Sequence, residues 1–391
     1  MENSSSHNLF RVDDITIKED MPTKALSNNL PKIAVIGVGG GGCNMINYMI
    51  EEGSHMIDLI VANTDLKVLH ISKAPKKIEL GPMLTNGFGA GMDPEVGRNS
   101  ALESYDEIKE TLKGADIVFV AAGLGGGTGT GAAPIIAKAA REVGALTVSV
   151  VTKPFGFEGR MRAALANLGL EELKKVSDSL IVIANDKLRE AVDETIGIKN
   201  AFKVTDNILY QAVNGMSQVI LNPGSGNDIN ADFADVKTIM KHKGIALMGI
   251  GKAKGDEATS RALDNAINSP LLEKVPLDGA KGILIHFTIS PEISLFAIED
   301  VMNNINQRVD INAQIIFGTT TDTDFERDEV KITIIATGFE AKNEIKEEQK
   351  ESDENEIEAI KVEAVESTLD TPPLMRGYTV EYPLSPLYTS D

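Results

Sequence analysis

The sequence has one cysteine and no tryptophan in 391 residues, and aromatic residues make up only 5%. A lone thiol, Cys43, excludes an internal disulfide and a cysteine-built zinc site, and it fits a reducing compartment. The five histidines (His7, His55, His70, His242 and His286) show no metal-ligand spacing. No apolar run approaches the roughly 18 residues of a membrane-spanning helix. The opening stretch "MENSSSHNLFRVDDITIKED" has neither a basic start nor an apolar core, so secretion is not expected. Positive charge is scarce as well. Against 58 Asp and Glu stand 38 Lys and Arg, a formal net charge of −20, which argues against a nucleic-acid-binding face. These absences point to a soluble cytoplasmic protein, with no direct membrane insertion and no nucleic acid among its partners.

What the sequence does hold is apolar strands and glycine. Residues 1–30 are polar and aperiodic and read as a disordered arm. Order begins at "PKIAVIGVGGGGCNMINYMIEEG": Ile33 to Ile36 is a buried-type strand, Gly37 to Gly42 a tight loop, and Met45, Ile46, Met49 and Ile50 one helical face. "IDLIVANTD", "ADIVFVAAG", "ALTVSVVTKPF" and "DSLIVIAND" are further strands, with a helix expected over "EGRMRAALANLGLEELKKV". Another helix follows "ADIVFVAAG", with Pro134 near its start and Gly144 near its end. Strands alternating with helices imply a doubly wound parallel sheet, here spanning 31–202.

A long helix, 203–221, carries Val204, Ile208, Ala212, Met216 and Val219 at helical spacing and suits a span between two domains. Over 222–339 a smaller α/β domain is expected, ending in the adjacent strands "AQIIFGTTT" and "VKITIIATGF". From Glu340 to Asp370, twelve acids face four lysines, which reads as an acidic linker, and 371–391 is a tail that regains Leu, Met, Tyr and Pro.

The chemistry lies in the glycines. In "GLGGGTGTGAAP", five of the seven residues from Gly125 to Gly131 are glycine, between an apolar strand and a helix. Such a loop lets backbone N–H groups and a helix dipole close on an anion with no Cβ in the way. Thr128 and Thr130 add hydroxyls. No lysine or arginine lies in the loop, so it is not a Walker A loop, and a triphosphate's charge would fall to amides, the dipole and a divalent ion such as Mg²⁺. Gly37, Gly39 and Gly42 also form a literal G-x-G-x-x-G with acids following, the fingerprint of a dinucleotide site. Pattern alone leaves nucleoside triphosphate and dinucleotide open. Two loops closing on one polyphosphate would explain both clusters.

Taken together, "GVGGGGCN", "NTD", "GAGMDPEVGRN", "GGGTGTG", "PFGFEGRMR" and "NADFADVKTIM" resemble FtsZ, the bacterial tubulin-like GTPase family of cell division. The resemblance runs in order from about Pro31 to Phe339. It implies a tubulin-like fold, GTP with Mg²⁺, and head-to-tail homopolymers that form a ring at midcell on the inner face of the cytoplasmic membrane. By resemblance, Gly125, Gly126, Gly127, Thr128, Gly129, Thr130 and Gly131 would hold the α- and β-phosphates, and Gly40, Gly41 and Asn44 would line the first loop. Ala90 and Gly91 match the loop that senses the γ-phosphate, and Asn63 and Asp65 would also face the nucleotide. Glu158 and Arg162 resemble ribose and phosphate contacts, and as residues they also read as an i, i+4 helix pair. Asn185 and Asp206 match the base readers, with Phe202 beside the base. One carboxylate can accept both N1–H and N2–H₂ of guanine, whereas adenine offers it an acceptor.

Asn230, Asp232 and Asp235 match the synergy loop, which in this family reaches the nucleotide of the next subunit and polarises water. On the residues alone, Asp232 also reads as a helix N-cap with Asp235 in the first turn. The chain departs from the family twice. "NPGSGNDINADF" is a few residues longer and more polar than the usual loop. The tail "LDTPPLMRGY" lacks the family's aromatic and runs on from Gly377 to Asp391, which puts docking to a membrane tether or division regulator in question. The other readings of the chain are a tubulin-like filament for plasmid partition and a nicotinamide-dependent oxidoreductase.

Overall fold

In a computed structural model of the chain, the described residues are 31–54, 57–189, 197–221, 228–229, 232–242, 244–269 and 277–339. The expected arm, linker and tail, and Asn230, lie outside them. The strands are β1 (Ile33–Val38), β2 (Asp58–Asn63), β3 (Lys76–Glu79), β4 (Ile117–Gly123), β5 (Leu146–Lys153), β6 (Ser179–Ala184), β7 (Ile245–Lys254), β8 (Gly282–Ile289), β9 (Gln314–Thr321) and β10 (Glu329–Phe339). The helices of the first half are α1 (Gly39–Glu51), α2 (Leu66–Ile71), α3 (Pro82–Thr85), α4 (Pro94–Glu103), α5 (Tyr105–Leu112), α6 (Thr128–Glu142), α7 (Arg160–Val176) and α8 (Asn185–Arg189). Beyond them lie α9 (Ile198–Leu221), α10 (Phe233–Met240), α11 (Ala258–Ile267) and α12 (Leu295–Asn306).

The ten strands of the described residues join one sheet in the order β3-β2-β1-β4-β5-β6-β7-β10-β8-β9. From β3 to β6 every pairing is parallel. Such a sheet is covered on both faces, and β1 reads accordingly: Ile33 and Val35 enter one core, Ala34, Ile36 and Val38 the other. The chain leaves β1 to one side for β2 and later returns on the other side as β4. The crevice above the β1 and β4 carboxyl ends is therefore the topological switch point, where doubly wound sheets bind ligands. Only Leu180↔Ile245 and Ile181↔Ala246 carry the sheet on from β6 to β7. Beyond that narrow seam, β10 runs antiparallel to both β7 and β8, with a core of its own between β7, β8, β10, α11 and α12.

Four details differ from the sequence reading. Helix α1 opens at Gly39, so most of the expected loop is a first helical turn; a Cβ on Gly42 would lie 2.5 Å from the Ala121 carbonyl, and only glycine lets the turn sit that close to β4. Helix α6 opens at Thr128, which puts Pro134 inside it and removes the N–H that would meet the Thr130 carbonyl. Gly144, at φ +90°, does follow its end. Helix α9 begins at Ile198 and so includes Phe202; its 24 residues make it about 36 Å long. The strands β9 and β10 are not neighbours, because β10 lies between β7 and β8.

Candidate nucleotide site

Both glycine segments feed helix N-termini at the switch point, α1 after β1 and α6 after β4. They lie backbone to backbone: a Cβ on Gly39 would be 2.9 Å from Gly129 N, and one on Gly41 3.2 Å from Gly123 N. Side chains pin the arrangement. Thr64 Oγ1 and Thr128 Oγ1 share a hydrogen bond of 2.7 Å, and Gly125 N donates to Thr130 Oγ1 at 2.9 Å. The glycines divide into two kinds. On Gly129 a Cβ would strike the Gly123 carbonyl at 2.4 Å, and on Gly131 the Pro94 carbonyl at 1.9 Å, so these serve packing. On Gly40 or Gly126 it would meet no protein atom within 4 Å, yet both line the cavity above the helices. There the missing side chain leaves room for a ligand.

That cavity holds about 420 Å³, ample for a nucleotide. At one end are Gly40, Gly41, Asn44, Gly126, Gly127, Thr128 and Gly129, offering two helix N-termini and neutral donors. Arg162 is the single cation among the lining residues. Its Nη1 donates to Glu158 Oε2 at 2.9 Å, while Glu158 Oε1 accepts Phe155 N at 2.9 Å. The i, i+4 pair and the wall of the cavity are thus the same two residues. No group of three or more His, Cys, Asp or Glu side chains that could hold a metal occurs among the described residues. A Mg²⁺ here would have to be held by phosphate oxygens and water, and the amides and Thr128 would be left to meet the other phosphate oxygens.

The opposite end is built for a base. Phe202 is 41% exposed and stands edge-to-face on Phe155 at 5.6 Å, which in turn stacks on Phe157 at 5.1 Å. Asn185 is only 5% exposed, and its Oδ1 is buried with no partner. Such an orphaned acceptor costs roughly 1–3 kcal/mol unless a donor arrives. Asp206 is half-buried, and burial pushes its carboxyl up to about 7. Two acceptors beside an aromatic edge call for a base that presents adjacent N–H groups. Thr205 and Leu209 also line this end, and the sequence reading missed them. Phe202, Thr205, Asp206 and Leu209 fall at i, i+3, i+4 and i+7, one face of α9. That spacing is a signal that could have found them. Thr152 and Pro154, at the carboxyl end of β5, were missed too, since only the strand order reveals their place.

Several expected residues support the cavity and do not line it. Asn63 is 3% exposed; its Nδ2 donates to Cys43 Sγ at 3.7 Å and its Oδ1 accepts Thr64 N at 2.9 Å. Asp65 caps α2 through Lys67 N and Val68 N. Ala90 is buried beneath Gly127, where a Cβ would come within 2.8 Å of it, and Gly91 is exposed at φ +58°. Gly125, Thr130 and Gly131 hold the loop from behind. Cys43 is fully buried and its thiol is pushed up to about 12 by burial, so it packs and does not react.

Asp232 and Asp235 are elsewhere. Asp232 caps α10, accepting Ala234 N at 3.2 Å, and Asp235 is exposed in the first turn. Helix α10 packs on β8 and β9. Four strand spacings separate β5 from β8, about 19 Å at the usual interval. Neither carboxylate reaches the cavity of its own chain.

The parallel sheet, its switch-point crevice and the acceptor-lined base end define a nucleotide-binding protein. Residues 32–193 match the Tubulin/FtsZ family GTPase domain, and residues 244–340 match the FtsZ family C-terminal domain. An FtsZ dimer from M. jannaschii is 43% identical, with 80% of this chain covering 90% of that one at a TM-score of 0.74. A single-substitution mutant of the M. jannaschii FtsZ is also 43% identical at a TM-score of 0.73, with 79% of this chain covering 91% of it. A GTPγS-bound CetZ2 protofilament from Haloferax volcanii shares the fold at 20% identity and a TM-score of 0.70, covering 84% of this chain and 99% of that one. The chain belongs to the FtsZ family and is a GTP-binding GTPase. The dinucleotide reading of Gly37, Gly39 and Gly42, and with it the oxidoreductase, gives way to this family.

Proposed function

We propose that this protein polymerises head to tail and hydrolyses GTP at the contact between subunits. Asp232 and Asp235 of one molecule, with Asn230, would complete the phosphate end of the next. The observation that carries the reading is a division of labour. The phosphate end of the cavity is lined by glycines, Asn44 and Thr128, and the lining acid Glu158 is engaged by Arg162 and Phe155 N. The candidate carboxylates stand on the far side of β7, on a helix seated at β8 and β9. Carboxylates kept beside an anionic triphosphate would repel it; supplied only on assembly, they orient water when a polymer has formed.

In this reading Asn185 and Asp206 select guanine, Phe202 flanks the base, and Glu158 with Arg162 meets ribose and phosphate. Asn63, Asp65, Ala90 and Gly91 brace the γ-phosphate side. Mg²⁺ supplies charge neutralisation on the phosphates. The dimer and protofilament forms of FtsZ and CetZ2 support self-association. The cellular role is a cytokinetic ring at midcell on the cytoplasmic face of the membrane, held there by a tether. No helix among the described residues is long and apolar enough to cross a membrane. The match to the FtsZ C-terminal domain favours division over a plasmid-partition filament, and localisation in dividing cells separates the two.

The test is phosphate release and light scattering after GTP addition at several protein concentrations. Turnover per molecule should rise with concentration alongside scattering. Equal turnover per molecule in dilute monomer and concentrated protein would overturn the shared site.

A further inference from the structure

The segment that carries Asp232 is fastened to the sheet just upstream of it. Asp228 Oδ1 accepts both Thr321 N at 3.0 Å and Thr321 Oγ1 at 2.7 Å. Ile229 N donates to Thr319 Oγ1 at 2.8 Å, and Thr319 N donates to the Ile229 carbonyl at 2.7 Å. Four hydrogen bonds thus hold two residues on β9, the outermost strand of the sheet. On the other side of Asp232, α10 rests on β8 and β9, and Thr337 Oγ1 donates to the Ile239 carbonyl at 2.9 Å. Three peptide links run from Ile229 to Asp232, at most about 11 Å of chain. Asp232 therefore lies three residues beyond one anchor, on β9, and directly before a second, the helix α10 seated on β8 and β9.

From this geometry we infer that Asp228 is a positioning residue for GTP hydrolysis: its clamp on Thr321 sets the place from which Asp232 and Asp235 meet the neighbouring subunit's nucleotide. The inference rests on the shared-site reading. A polar loop can meet another molecule's triphosphate productively only if its placement is fixed before contact, since misplacement by about 1 Å costs up to about a hundredfold in rate. Asp228 is half-buried and shares no cavity with the nucleotide, so it does not touch substrate. Both bonds end on one oxygen, and asparagine carries an equivalent acceptor.

The discriminating set is Asp228→Ala, Asp228→Asn and Thr321→Val, with full-length protein, GTP and Mg²⁺, above the assembly concentration. Asp228→Ala should lower turnover per assembled subunit by about fivefold or more. GTP affinity in dilute protein should stay at the wild-type value, and the melting temperature should fall by only a few degrees, the cost of the lost acceptor. Asp228→Asn should remain within about twofold of wild type, and Thr321→Val, which keeps the backbone donor, should fall between the two. Wild-type turnover in Asp228→Ala would overturn the clamp. So would equal losses in Asp228→Ala and Asp228→Asn, which would assign the charge and not the acceptor, or a loss of GTP affinity in dilute Asp228→Ala. The underlying reading fails separately: it falls if wild-type turnover per molecule does not depend on concentration, whatever the variants do.

Discussion

GTP affinity should depend on pH through one side chain. The Asp206 carboxyl in the nucleotide-free protein is raised from its ordinary 3.8 to about 7, by burial. To accept N1–H and N2–H₂ of guanine it must be ionised. With a pKa of about 7, about ten in eleven molecules are ready at pH 8 and about one in eleven at pH 6, so the dissociation constant should rise about tenfold across that interval. The sign is opposite for the stability of the nucleotide-free fold. A carboxyl with a folded pKa above its unfolded one stabilises the protein fully below about 3.8, and that stability is lost as pH rises through about 7. Over the range where guanine binding weakens, this group therefore makes the nucleotide-free protein more stable, so a global unfolding cannot mimic the effect. The assay is displacement of a fluorescent GTP analogue from dilute protein at pH 6, 7 and 8. The phosphates of GTP also titrate in this range, and Asp206→Asn supplies the control, because it retains their contribution and loses the carboxyl's. A flat dissociation constant between pH 6 and 8, or the same tenfold change in Asp206→Asn, would refute the base-reading carboxyl.

Gly126→Ala should fold with an unchanged melting temperature and lose GTP binding by about a hundredfold, because its Cβ enters open cavity; Gly129→Ala, facing the Gly123 carbonyl at 2.4 Å, should be destabilised by several kcal/mol, at least ~2, in chemical denaturation. Asp235→Ala should abolish turnover in assembled protein while dilute protein binds GTP as before, measured by phosphate release and by analogue displacement. Cys43, buried with its thiol pushed up to about 12, should react with a thiol reagent at pH 8 only after denaturation, and a fast native reaction followed by absorbance would contradict its packing role.

The fold is legible in the sequence wherever the signal is local. Ile33 to Ile36, the strands before each glycine segment and the Gly144 stop all follow from patterns a few residues long. What stays hidden depends on the third dimension. Nothing in "AQIIFGTTT" or "VKITIIATGF" says that β10 inserts between β7 and β8, because the pairing partners lie far apart in sequence. Helix α9 announces itself through the apolar residues that meet the core. Leu209 belongs to that core pattern as well as to the cavity wall, so apolar periodicity by itself does not mark it or Thr205 as cavity residues; their spacing from Phe202 and Asp206, which stand out by resemblance, does.

The glycines make the limit sharper. Gly126 and Gly129 stand three apart in one motif and are chemically identical, yet one is empty for a ligand and the other for a carbonyl at 2.4 Å. No count or spacing separates them; only the position of Gly123 does. Asp232 poses the converse problem, one residue that satisfies two readings at once. Capping α10 uses a single carboxylate oxygen, Oδ1, on Ala234 N. A carboxylate has two oxygens, so the bond that fixes the side chain leaves the other to face outward. The helix cap is then the device that would orient Asp232 toward a neighbouring molecule, and the structural and functional readings of that residue stop being alternatives.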